Sequence, residues 1–109
     1  MNEAARALLF CYGTLRDPEV QRAVFGRSLD GEADALRGHE LGTVVIDGTA
    51  YRTLVASDRP DALVEGLVLP LRDGDLVRVD AYEGSTDYRR ITVRLESGRL
   101  AFVYASDGA

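Results

Sequence analysis

Two short stretches hold the residues best suited to chemistry. The first is Phe10-Cys11-Tyr12-Gly13-Thr14-Leu15-Arg16. The second is Asp80-Ala81-Tyr82-Glu83-Gly84, with Tyr88-Arg89-Arg90 just beyond it. In the first, an apolar run of strand length meets a glycine, and Asp17-Pro18 then opens a helix. A strand, turn and helix start in that order aim several backbone N–H groups at one spot, and the helix dipole adds partial positive charge there. Such a turn suits a small anion, for example a carboxylate. In the second stretch Glu83 ends a short helix. The negative end of the helix dipole disfavours its charged form and raises its pKa, and an apolar cavity would push the same way. A raised carboxyl pKa is what a proton shuttle working near neutrality needs. By position alone the plainer readings are a solvated acid at a helix end and a glycine that lets a turn pack tightly.

Other chemistries find little support. Cys11 is the only cysteine and His39 the only histidine, which excludes an intrachain disulfide and thiolate clusters. Most zinc sites go with them, as does any His-based triad that does not pass through residue 39. Cys11 lies in an apolar run and reads as a small core residue. His39 reads as a loop or strand-edge residue. A Cys11–His39 pair in a nucleophilic hydrolase rests only on both residues being present. No Gly-Lys-Ser/Thr follows Gly13, so the turn is not a nucleotide P-loop. No cofactor or metal is called for.

The two stretches together are specific. Phe10 to Arg16 resembles the Tyr-Gly-Thr/Ser-Leu signature that opens the gamma-glutamylcyclotransferase-like (AIG2-like) family. Asp80 to Gly84, followed by Tyr88-Arg89-Arg90, resembles that family's second signature, in the same order and at about the same separation. The resemblance runs from Leu8 to about Tyr104. It implies that Glu83 is the catalytic general acid/base. It implies that Tyr12, Gly13, Thr14 and Leu15 hold the glutamyl head group, with N–H groups of residues 13–15 on its α-carboxylate. Tyr88 and Tyr104 complete the candidate substrate-binding set, Tyr104 being either core or the source of a hydroxyl in the cavity. The implied substrate is a gamma-glutamyl amine or amino acid. Its own α-amine attacks the γ-carbonyl and releases 5-oxoproline. Such a ring closure needs positioning and proton transfer, and neither a triad nor a cofactor. Two departures stand out. Arg52 follows Tyr51 where relatives often carry Pro, and the chain ends five residues after Tyr104. The shorter end implies a more open cavity, or a homodimer in which a neighbouring subunit covers it. Two alternatives are a non-catalytic small-molecule- or protein-binding module on the same scaffold and a deprotecting cyclotransferase within a biosynthetic pathway.

The elements that must position these residues follow from the pattern. Leu8 to Tyr12 is a central strand buried on both faces. A helix runs from Pro18 to Phe25, with Asp17 at its N-cap and Gly26 as its stop. Gly31 to Gly38, Leu41 to Ile46 and Thr49 to Ala56 read as strands, the last two joined by an Asp47-Gly48 hairpin turn. Tyr51, Arg52 and Leu54 on that hairpin are candidates for the pocket mouth. Ser57 to Ala62 is a loop. Val64 to Leu71 is a strand with Pro70 near its end or on an edge. Asp73-Gly74-Asp75 opens a short helix with Leu76, Val79 and Tyr82 on one side, closed by Gly84. Ile91, Val93 and Leu95 alternate with polar residues in a half-exposed strand, and Leu100 to Tyr104 is the last, before a tail from Ser106. Of Arg89 and Arg90, one is expected in a salt bridge and the other beside the substrate cleft. The expected fold class is α+β: a small mixed/antiparallel β-barrel with two short helices packed outside.

Composition sets the remaining bounds. The 109 residues fit one domain, residues 1–109, able to bury a core without staples. Net charge is −5, and all 13 basic residues are scattered arginines. Without an aromatic-interleaved basic stripe, a nucleic-acid partner is not expected. No apolar run approaches the ~20 residues of a membrane span, and Met1 to Arg6 lacks a signal-peptide pattern. A cytoplasmic protein is the resulting expectation. Absence of Lys beside abundant Ala, Arg, Asp and Gly suggests a GC-rich bacterial genome.

Overall fold

The computed structural model describes residues 7–83 and 88–106. Its centre is strand β1 (Ala7–Cys11), whose side chains are apolar on both faces. Leu9 and Cys11 point to a core shared with Phe25, Leu69, Leu71, Val79 and Tyr104. Phe10 belongs to a second core with Leu54, Val64, Val68 and Val103. Continuous apolarity therefore reflects burial on both sides, as the run predicts. Tyr12 lies one residue past the strand.

Four further strands complete a mixed sheet. β1 runs antiparallel to β5 (Leu63–Leu71) and parallel to β7 (Leu100–Ser106), which it meets at Leu9 and Phe102. Outside them lie β2 (Glu32–Arg37) on β5 and β6 (Tyr88–Arg94) on β7, giving the order β2-β5-β1-β7-β6. Pro70 pairs with Leu8 beyond Val68, where the β2 ladder has ended, so its missing N–H falls where only one neighbour needs a bond. Leu95 closes the β6–β7 turn instead of extending β6, its N–H donating to the Arg99 carbonyl at 2.8 Å. Ser106 belongs to β7 and not to a tail.

The expected barrel does not form: among the described residues the sheet stays open. β3 (His39–Ile46) and β4 (Thr49–Ala56) pair with each other and form a separate two-stranded ribbon. Gly38, in the left-handed region at φ 81, stands between β2 and β3. It turns β2 into β3 within one residue, a conformation open to glycine. His39 is accordingly the first, half-buried residue of β3. The β2 edge carries Glu32, Asp34 and Arg37, which suit ion pairs better than a further ladder. They meet the β6–β7 turn instead. Glu96 N–H donates to the Ala35 carbonyl at 2.8 Å, Arg37 pairs with Glu96 at 2.8 Å, and Arg99 reaches Glu32 at 2.6 Å and Asp34 at 3.0 Å.

Two helices cover one face of the sheet. α1 (Pro18–Phe25) starts as its sequence dictates: the Asp17 carboxylate accepts from Glu19 N–H at 2.8 Å, and Pro18 takes the first helical position. α2 (Asp75–Glu83) is pinned at its start by Asp75, which is 1% exposed. Its carboxylate accepts from Arg27 Nη2 and from the Arg72 N–H, each at 2.8 Å. Burial raises the pKa of this carboxyl, but those donors and Arg78 outweigh it and hold it below the usual range. The expected stop at Gly84 lies outside the described residues. No helix among the described residues is long and apolar enough to cross a membrane.

Candidate active site

A cavity of about 750 Å³ opens where β1 ends. Its floor is Leu9, Phe10 and Cys11; one wall is the turn from Tyr12 to Leu15. Tyr82 and Glu83 enter from the end of α2, Tyr104 from β7, and the tip of the β3–β4 hairpin forms the far wall with Asp47, Tyr51 and Arg52. Four segments distant in sequence thus bring both chemical stretches to one space. A concave site of this size with a few polar groups is where a small ligand binds.

The Gly13 turn is a single 3₁₀ turn over Thr14–Arg16. Arg16 N–H donates to the Gly13 carbonyl at 3.1 Å and Asp17 N–H to the Thr14 carbonyl at 3.0 Å. The N–H groups that start such a turn have no partner inside it. From behind, Gln21, 2% exposed, donates through Nε2 to the Leu15 carbonyl at 2.9 Å and accepts from Leu29 N–H at 2.9 Å. The Thr14 and Tyr82 hydroxyls share a hydrogen bond of 2.7 Å, which ties the turn to the helix residue beside Glu83. Tyr12 donates to the Tyr104 carbonyl at 2.6 Å. The Tyr104 hydroxyl donates to Asp80, whose carboxylate also takes Arg90 Nη1 at 2.9 Å. The Arg90 guanidinium lies 5.1 Å over the Phe102 ring.

The electrostatics separate these groups. Burial pushes the half-buried Glu83 carboxyl up to about 7. Burial, with the Glu83 charge adding and Arg16 opposing, pushes the Cys11 thiol up to about 12. That thiol is protonated at neutrality and a poor nucleophile. Tyr104 is raised by burial and then by its bond to Asp80, so it too keeps its proton.

Of the candidate residues, Tyr12, Gly13, Thr14, Leu15, Glu83 and Tyr104 all line the cavity. The Tyr88 side chain lies outside the described residues. Tyr51 and Arg52 line the cavity as well, whereas Leu54 packs in the second core. Arg90 makes the expected salt bridge; Arg89 is exposed and does not line the cavity. Sequence reasoning missed Tyr82 as a site residue. The helical pattern places it only on one side of the helix with Leu76 and Val79, whereas it is 45% exposed and hydrogen-bonds Thr14. It missed Asp80 as well, although three residues before Glu83 is one helical turn.

Comparison with known proteins agrees with the fold. The family model described as gamma-glutamyl cyclotransferase, AIG2-like, matches residues 9–108. An uncharacterised protein from Homo sapiens has a similar structure, with a TM-score of 0.78 and 22% identity over 92% of this chain and 66% of its own. A gamma-glutamyl cyclotransferase is similar at a TM-score of 0.76 and 20% identity, over 92% of this chain and 66% of its own. A solution structure from Arabidopsis thaliana shares 26% identity at a TM-score of 0.73, over 93% of this chain and 68% of its own. The chain spans about two thirds of the length of these structures. Among curated proteins, none matches this sequence.

Proposed function

The chain belongs to the gamma-glutamyl cyclotransferase, AIG2-like family, and from that premise we propose that it releases 5-oxoproline from a gamma-glutamyl amine or amino acid. One observation carries the reading: the half-buried Glu83 carboxyl, raised to about 7, shares a cavity with the Gly13 turn.

The N–H groups at the start of that turn bind the substrate's α-carboxylate, with Tyr12 beside them. The glutamyl chain then folds so that its α-nitrogen faces its own γ-carbonyl. Glu83, ionised, takes a proton from the α-ammonium. The freed amine attacks the γ-carbon, a C–N bond forms and the five-membered ring closes. Glu83 then passes that proton to the leaving nitrogen as the old C–N bond breaks, takes the second proton from the ring nitrogen, and returns it to the released amine, which departs as an ammonium. The atoms balance without water: one gamma-glutamyl compound gives one 5-oxoproline and one amine. Because the nucleophile is part of the substrate, holding it in attack geometry supplies much of the acceleration. A carboxyl titrating near neutrality accepts and returns a proton with little cost in either direction.

The test is incubation of the purified protein with gamma-glutamyl amino acids, gamma-glutamyl-ε-lysine, gamma-glutamyl amines and glutathione, with 5-oxoproline read by mass spectrometry. Product from the wild type and none from Glu83→Gln is the expected result. A fully active Glu83→Gln protein would sink the mechanism. Thermal stabilisation by 5-oxoproline without turnover of any compound would point to a binding module instead.

A further inference from the structure

We infer that Tyr82 is a second catalytic residue, whose hydroxyl, held by the Thr14 hydroxyl, donates to the γ-carbonyl oxygen as negative charge develops there; this rests on the cyclotransferase reading above. The Thr14 and Tyr82 hydroxyl oxygens lie 2.7 Å apart, and both residues line the main cavity. Each hydroxyl carries one hydrogen, and one of the two is used between them. Neither makes another hydrogen bond among the described residues, so the pair keeps one O–H to offer. A phenol is the stronger donor of the two. With Thr14 donating into the Tyr82 oxygen, the phenolic hydrogen is the one left over, and the bond it receives polarises it further.

The reaction itself fixes where that oxygen lies. Glu83 serves the attacking and the leaving nitrogen, and at the tetrahedral stage both are bonded to the γ-carbon. That carbon therefore sits one bond from the atoms Glu83 must reach. The head group is anchored on the turn of residues 13–15. Tyr82 adjoins Glu83 at the end of α2 and bonds Thr14 within the turn, and all three line the same cavity. The hydroxyl pair thus bridges the two anchors between which the carbonyl must lie. Attack moves an electron pair onto the γ-oxygen, and collapse returns it as the old C–N bond breaks. Glu83 is engaged with the two nitrogens and cannot hold that charge. The N–H groups that start the turn are taken by the α-carboxylate. The Tyr12 hydroxyl is committed to the Tyr104 carbonyl, and the Tyr104 hydroxyl to Asp80. Among the described residues, the Tyr82 O–H is the donor that stands at both anchors. Its hydrogen stays on the phenol throughout. Only the hydrogen bond strengthens as charge builds, which favours the transition state over the bound substrate.

A sulfur-for-oxygen exchange in the substrate tests this. The two substrates are the gamma-glutamyl compound of the panel above that turns over fastest and the same compound with sulfur in place of the γ-oxygen. The released amine, common to both, is read by mass spectrometry. On the amide, Tyr82→Phe is expected to lose about a hundredfold in kcat at nearly unchanged KM, the range for one oxyanion donor. On the thioamide, wild type and Tyr82→Phe should differ little, because sulfur is a weak acceptor. Each ratio compares two enzymes on one substrate, so the intrinsic reactivity of amide and thioamide cancels. Thr14→Val leaves the phenol without its holder and should lose about tenfold in kcat on the amide, whereas Thr14→Ser keeps the wild-type rate. Tyr82 is 45% exposed, so Tyr82→Phe keeps the fold, and matching thermal melts check it. Equal losses on amide and thioamide would show a bond that only positions the turn against the helix, and would overturn the assignment. A wild-type kcat in Tyr82→Phe would overturn it too, and in both cases the cyclotransferase reading stands. No 5-oxoproline from the wild type on any compound overturns that reading and this inference with it.

Discussion

Replacing Glu83 by Gln should abolish turnover and, above neutrality, make the protein more stable. The carboxyl moves from its ordinary value of 4.5 to about 7 on folding, through burial. Between those values the native state holds more protons than the unfolded chain, so stability falls as pH rises. The contribution is whole below the unfolded value and is lost as pH passes through about 7. A difference of about 2.5 pH units, at about 1.4 kcal/mol each, sets a ceiling of about 3 kcal/mol. Glu83 is only half-buried, and solvent screening brings the expected cost to about 2 kcal/mol. Gln fills the same space and does not titrate. At about pH 8.5 the variant should exceed the wild type by about 2 kcal/mol, on the order of 10 °C in Tm, and at about pH 4 the two should converge. The depressed carboxyls Asp34, Glu40, Asp75 and Glu96 stabilise above their unfolded values and lose that stability only as pH falls through their folded ones. They cancel between the two proteins. Thermal melts of both across this pH range are the assay. Parallel stability curves would show that Glu83 is not desolvated and would refute the reasoning.

Three further expectations follow from the same geometry. The kcat/KM of the wild type should rise with pH through about 7, because free Glu83 must be ionised to accept the α-ammonium proton; a flat acidic limb across this range in a pH–rate profile argues against it as the base. Gly13→Ala should melt like the wild type, since an added Cβ meets nothing within 4 Å, yet raise KM about tenfold by filling space against which substrate must lie; an unchanged KM places the substrate elsewhere. Gly66→Ala should lose about 3 kcal/mol in urea unfolding, because its Cβ would sit 2.3 Å from the Cys11 carbonyl oxygen and 2.9 Å from the Phe10 ring, and a loss near zero would mean that β1 yields there at no cost.

Local structure was legible where local chemistry decides it. Asp17, Pro18 and Gly26 bound α1 at the residues their types predict, and Asp47-Gly48 marks the β3–β4 turn. The apolar run before Gly13 was readable as a doubly buried strand because burial on both faces leaves no polar residue in it. Closure was not readable. Counting strands and short loops suggests a barrel, but which strands pair is a tertiary choice that local pattern does not carry, and β3 and β4 pair with each other and not with the five-stranded sheet. Nor could periodicity place Tyr82. A helical stripe says which residues share a face, and near the end of α2 that face has run past the core and over the cavity.

Of the three carboxylates of α2, Asp75 and Asp80 anchor the helix and Glu83 lines the cavity. Asp80 and Glu83 lie one turn apart, yet their surroundings differ. Asp80 takes Arg90 and the Tyr104 hydroxyl, so its charge is matched and it ties the helix to β7 and β6. For Glu83 the resolved influence is burial. Desolvating an acid costs stability, and left alone the helix end would turn Glu83 outward to water. Asp75 at the helix start and Asp80 near its end prevent that rotation, one through Arg27 and the other through Tyr104. The Tyr12 hydroxyl on the Tyr104 carbonyl and the Thr14–Tyr82 bond then set the Gly13 turn against the same helix end. Paired acids hold the frame so that the third can stay desolvated and titrate near neutrality. A carboxyl desolvated in this way is the kind suited to moving protons.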